Sequence, residues 1–156
     1  MRADRELRAG AHLGSNAIMY PPERASLRCS RTDVCGVLHT LAIDPRSSLG
    51  RTALAVVSEL VDNAIGHAAT HFSVALSLTG THGMFVEVTD LAPERPVPYP
   101  FSEGGAYLGG DRLGLLVVHK LSDAWGVRPV DERAKTVWAQ VSLGILNGRE
   151  HQIAES

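Results

Sequence analysis

The sequence predicts an α+β domain, a two-layer α/β sandwich. Its mainly antiparallel, mixed sheet is covered on one face by about three helices. Three observations carry that expectation. Apolar residues recur at helical spacing in separate stretches, the longest running from Leu49 to Ala68. Apolar and polar residues alternate from Phe72 to Leu78 and from Lys135 to Leu143, as in half-buried strands. The elements come as strand, helix, helix, strand, strand, long loop, helix, strand, strand, without the alternation of a dinucleotide fold. A G-x-x-x-x-G-K-[ST] phosphate loop is also absent.

At 156 residues the chain fits one domain with a sizeable core, residues 16–146, between flexible ends at 1–15 and 147–156. A net charge of −2 argues against nucleic-acid binding by bulk electrostatics. The longest apolar run is too short for a membrane helix. Cys29 and Cys35 lack C-x-x-C spacing and read as reduced, largely buried thiols of a cytoplasmic protein. Among the histidines only His67 and His71 have the spacing of a helical metal pair, and the helix is expected to end between them.

In chain order, Asn16–Tyr20 reads as an edge strand closed by Pro21-Pro22. Ala25–Leu41 reads as a helix, with Leu27, Val34, Val37, Leu38 and Leu41 on one side. Ser47 or Ser48 can cap the next helix. That helix carries Leu49, Ala53, Val56, Val57, Leu60, Val61, Ala64 and Ile65 as its buried stripe. Phe72, Val74, Leu76 and Leu78 share one strand face, and Met84–Thr89 is the partner strand across a hairpin loop. Residues 92–111 hold four prolines and four glycines and read as a long functional lid. The helical stripe returns over Leu113–Trp125, with Gly126 as its stop, and two strands follow at Gly126–Val130 and Lys135–Leu143.

Four pieces carry candidate chemistry. Glu59 and Asn63 lie one helical turn apart, and His67 continues the row. Taken alone, that row is most simply a solvated helix face. Asp90 closes its strand, where a carboxylate can accept a hydrogen bond from an exocyclic amine such as that of adenine. Arg112-Leu113-Gly114-Leu115 opens a helix after glycines, and the free N–H groups of such a start suit phosphate. Lys135-Thr136 begins the last strand; Lys135 reads either as a phosphate contact or as a solvated strand lysine. Asn63 can offer an oxygen to Mg²⁺, and Glu59 can take a proton from an attacking hydroxyl or water. Trp125 and Trp138 read as packing residues.

SELVDNAIGHA, VEVTD, RLGLLVVHKLSDAWGV and AKTVW, in that order and spacing, resemble the boxes of the GHKL (Bergerat-fold) ATPases. They are most similar to bacterial ATP-binding regulatory proteins of the anti-sigma-factor, serine-protein-kinase type. The resemblance runs from about Asn16 to Leu143. It implies Glu59 as general base, Asn63 as Mg²⁺ ligand and Asp90 as acceptor for the adenine amine. It also implies Gly110, Arg112, Gly114 and Leu115 at the phosphate end, Thr136 near the adenine, and 92–111 as the ATP lid. Ala92 and Ala134 stand where the family pattern has glycine, and Leu113 where it has arginine or glycine.

The function so implied is a cytoplasmic Mg·ATP-binding regulator with serine/threonine kinase activity. It would phosphorylate or sequester a partner protein of the sigma-factor or anti-sigma-antagonist type in transcriptional regulation. Direct nucleic-acid and membrane binding are not expected, and a homodimer is compatible. The alternative is a catalytically silent module of the same fold, binding nucleotide or none, that acts through protein interaction alone.

Overall fold

The structure is a computed structural model that describes residues 17–68, 70–80, 83–91 and 110–142. At 67, 68 and 110–113 the description covers the backbone. Five strands and three helices are described: β1 (Ile18–Tyr20), α1 (Ala25–Thr40), α2 (Ser48–Ala68), β2 (Phe72–Thr79), β3 (Gly83–Asp90), α3 (Gly110–Leu121), β4 (Ala124–Pro129) and β5 (Lys135–Ser142). The sheet order is β1-β2-β3-β5-β4, and every pairing is antiparallel. The helices pack on one face, which is the two-layer α+β sandwich that the sequence predicts, with a fully antiparallel sheet instead of a mixed one.

The core lies between α2 and the inner sheet face. Leu49, Ala53, Val56, Val57, Leu60, Val61 and Ala64 are all withdrawn from solvent. They meet Phe72, Val74 and Leu76 of β2, Met84, Val86 and Val88 of β3, and Val137, Ala139 and Val141 of β5. This is the expected helical stripe against the expected alternation, and burying such side chains is the dominant stabilising term. The row on β2 stops one position early: Leu78 is 41% exposed, on the stretch of β2 beyond its pairing with β1, while Met84 opposite it on β3 is buried.

Local chemistry fixes the helix ends. Ser47 is the N-cap of α2, since its Oγ accepts the Gly50 N–H at 3.1 Å. A side chain at Gly50 would collide with the backbone of Asp44 and Pro45, so this close approach of turn and helix requires glycine. α1 closes with Ile43 N–H donating to Leu38 O at 2.8 Å and Ala42 N–H to His39 O at 3.0 Å. Ala42 adopts φ +60° there, where glycine is usual. Tyr20 ties β1 to α1: its hydroxyl donates to Asp33 at 2.7 Å while its ring stacks on Phe72.

Two sequence expectations are corrected. α3 begins at Gly110, not Leu113, and ends at Leu121, so Trp125 lies in β4 and Gly126 stops nothing. Gly126 is instead a mid-strand packing position, where a Cβ would stand 3.0 Å from the Trp138 ring. The chain leaves α3 early because Asp123 N–H donates to Gln140 O and draws it into the sheet. The inward residues of α3 are accordingly Leu115 and Val118. Cys29 is exposed and Cys35 half-buried, so the thiols are not the buried pair expected. The lid expected at 92–111 lies outside the described residues up to 109, as do the chain ends at 1–15 and 147–156.

Candidate functional site

One end of the sheet gathers the start of β2, the end of β3, the start of β5 and the end of β4, because Phe72 pairs with Asp90, Asp90 with Lys135, and Lys135 with Pro129. α2 ends just before β2, so its C-terminal part reaches the same end. Exposed apolar side chains mark the rim there: Leu91 at 52% and Val130 at 57% exposure.

Glu59 and Asn63 project one turn apart from α2 and are both half-buried. Glu59 lies against α3: a Cβ built on Gly114 would stand 2.6 Å from its Oε2. The missing side chain at Gly114 is what lets the carboxylate approach the N-terminal part of that helix. Burial raises the Glu59 pKa above its ordinary value, and the neighbouring Asp62 carboxylate adds to the rise. A carboxylate pushed upward in this way is a better proton acceptor at neutral pH than an ordinary one.

Asp90 heads the inward row of β3 and Lys135 the inward row of β5. Lys135 Nζ stands 3.1 Å from Asp90 Oδ1, with side-chain exposures of 6% and 3%. Lys135 is therefore not a solvated strand lysine. It neutralises a carboxylate that the fold has taken out of water, and a buried charge without such a partner is strongly destabilising. Its place was legible: Lys135 has the same parity as Val137, Ala139 and Val141, so it had to face inward.

Thr136 goes the other way. It pairs with Thr89 on the outer face of the sheet, hydroxyl to hydroxyl at 2.7 Å. Asp90 and Thr136 do not share a wall, contrary to the grouping expected from sequence, because adjacent strand residues point to opposite faces. The same outer face carries Phe85 edge-on to Trp138 and Arg128 bonded to Glu87 at 2.9 Å. Trp125 Nε1–H donates to His119 Nδ1 at 3.1 Å. Leu115 is 4% exposed and belongs to the core. Gly110 and Arg112 fall in the first turn of α3, and their side-chain surroundings lie outside the described residues, as do those of His67.

Among the described residues there is no group of three or more His, Cys, Asp or Glu able to hold a metal. A Mg²⁺ here would rely on the Asn63 amide oxygen and on phosphate oxygens, the usual arrangement for that ion. The amide oxygen of Asn63 and the half-buried Glu59 carboxylate one helical turn away are donor types compatible with a Mg·nucleotide. The Asp90 carboxylate is engaged by Lys135.

Against known proteins, no family model matches the chain, and no curated protein matches it. Among solved structures it is similar to a chain of the SiaB–SiaC complex from Pseudomonas aeruginosa. That match has a TM-score of 0.57 and 15% identity, spanning 90% of this chain and 97% of that one. Likeness at this identity shows a shared fold. These findings overturn the assignment to the GHKL ATPases drawn from the sequence boxes: no family model supports it, and the structural match leads elsewhere. For Glu59, Asn63 and Asp90 the structure shows placement and burial. No helix among the described residues is long and apolar enough to cross a membrane.

Proposed function

We propose that the chain is a regulatory protein that binds Mg·ATP at the Glu59–Asn63 end of the sandwich and acts on a partner protein. The observation that carries this reading is the Glu59 carboxylate, half-buried, raised in pKa and seated against the bare Gly114 of α3. The structural neighbour is one protein of a two-protein complex, which favours a partner protein as the target. A sigma factor or its antagonist is the partner type we propose.

In the reaction proposed, a serine or threonine hydroxyl of the partner attacks the γ-phosphorus. A new O–P bond forms, the bond to the β–γ bridging oxygen breaks, and ADP leaves. Glu59 takes the hydroxyl proton. Asn63 would hold Mg²⁺ through its amide oxygen, and the ion would supply neutralisation of phosphate charge. The free N–H groups of the first turn of α3 would be donors for the phosphates.

A nucleotide-free interaction module is the second reading, and one observation favours it: Lys135 already satisfies Asp90. Mg²⁺-dependent ATP turnover separates the two. The first reading expects slow hydrolysis that disappears in Glu59→Ala. Equal turnover in wild type and folded Glu59→Ala contradicts it.

A further inference from the structure

Among the described residues, no helix or strand packs on the sheet face turned away from the helices. By strand parity that face carries mostly small polar side chains, among them Ser73, Ser77, Thr89 and Thr136. Two large aromatic residues break the pattern. Phe85 and Trp138 are half-buried and meet edge to face, with ring centroids 5.9 Å apart. A Cβ at Gly126 would stand 3.0 Å from the Trp138 ring, so a mid-strand glycine seats the indole against the sheet. Met19, 66% exposed, adds an apolar side chain at the β1 edge of the same face. Beside the rings stands a pair of opposite charges: Arg128 Nη2 lies 2.9 Å from Glu87 Oε1, at side-chain exposures of 36% and 17%.

The acid comes from β3 and the base from β4, and β5 with Trp138 runs between them. Such a face is complementary to itself. A two-fold axis along β5 sets Glu87 of each copy against Arg128 of the other, and Trp138 against Trp138. A partner of a single charge sign would meet one attractive and one repulsive group here. Aromatic residues and arginine are also the types enriched where two proteins meet. We infer that this outer face is a docking surface for a second copy of the chain, packed sheet on sheet about a two-fold axis along β5. The inference stands apart from the nucleotide reading. In such a dimer both helical layers, and with them Glu59 and Asn63, lie on the outside of the assembly.

The test is sedimentation velocity of the full chain over a concentration series, with thermal unfolding as the check on folding. Wild type is expected to dimerise. Glu87→Arg and Arg128→Glu, taken singly, each set like charges against one another across the axis. Each is expected to weaken dimerisation about tenfold or more. An equimolar mixture of the two restores it, because every contact across the axis then joins opposite charges. The double variant Glu87→Arg/Arg128→Glu keeps an ion pair within the chain and guards against single variants that fail to fold. It is expected to dimerise with itself and to take up no fluorescently labelled wild type. A wild type that is monomeric throughout the series overturns the inference. So do folded single variants that dimerise like wild type, a mixture of them that stays monomeric, or a double variant that exchanges freely with wild type.

Discussion

Gly114 of α3 is bare where the Glu59 carboxylate of α2 comes closest, and a methyl group there would lie 2.6 Å from Glu59 Oε2. Two helices thus meet at the carboxylate proposed as the base. The atom in the way is the end of a flexible side chain, so the fold can yield by turning Glu59 aside.

Gly114→Ala separates fold from function for that reason. Alanine favours a helix interior over glycine by about 0.8–1.0 kcal/mol. The variant is expected to unfold at equal or slightly higher denaturant concentration than wild type, while ATP turnover falls because Glu59 is displaced. Chemical denaturation and a turnover assay on the same preparation check both halves. Unchanged turnover detaches Gly114 from the site.

Glu59→Gln should change the pH dependence of stability. The folded-state pKa of Glu59 is raised, first by burial and then by Asp62, so the native chain holds this proton more tightly than the unfolded one. The stabilisation is complete below the ordinary carboxylate pKa and is lost as pH rises through the raised value. Glutamine carries no such proton, and its stability profile should be flatter over that window. Turnover, which needs the deprotonated base, should rise with pH over the same window in wild type and fall by about 10²-fold or more in Glu59→Gln. Melts and rates across the acidic range test this.

Thr136→Val tests the face on which Thr136 lies. Its hydroxyl bonds Thr89 on the outer side of the sheet. Removing it leaves the half-buried Thr89 hydroxyl short of a partner, a loss of about 0.5–1.5 kcal/mol. Nucleotide affinity should not move, since Asp90 and Lys135 face inward. A selective loss of ATP binding with stability preserved would return Thr136 to the base end.

Much of the fold was legible in the sequence because period and parity are local signals. The stripe from Leu49 to Ala64 and the alternation through β2, β3 and β5 became the two sides of the core. The end of α3 was not legible: the apolar spacing runs on through Ala124 and Trp125, and only the bond from Asp123 to Gln140 of β5 decides where the chain joins the sheet. At the site, Glu59 and Asn63 follow from helical spacing alone. The grouping of Asp90 with Thr136 came from the resemblance; the register does make them neighbours across β3 and β5, but parity sends their side chains to opposite faces. Strand parity at Lys135 held the correct answer, but a lysine at an inward position becomes expected only once Asp90 is known to lie opposite it.

The central claim is that the α2 face holds a Mg·nucleotide, and its most direct test is calorimetric titration of the wild-type chain and Asn63→Ala with ATP, with and without Mg²⁺. Binding in wild type that strengthens with Mg²⁺, and that loses this dependence in a folded Asn63→Ala, is the expected result. No binding by well-folded wild type, or an identical response to Mg²⁺ in Asn63→Ala, contradicts it.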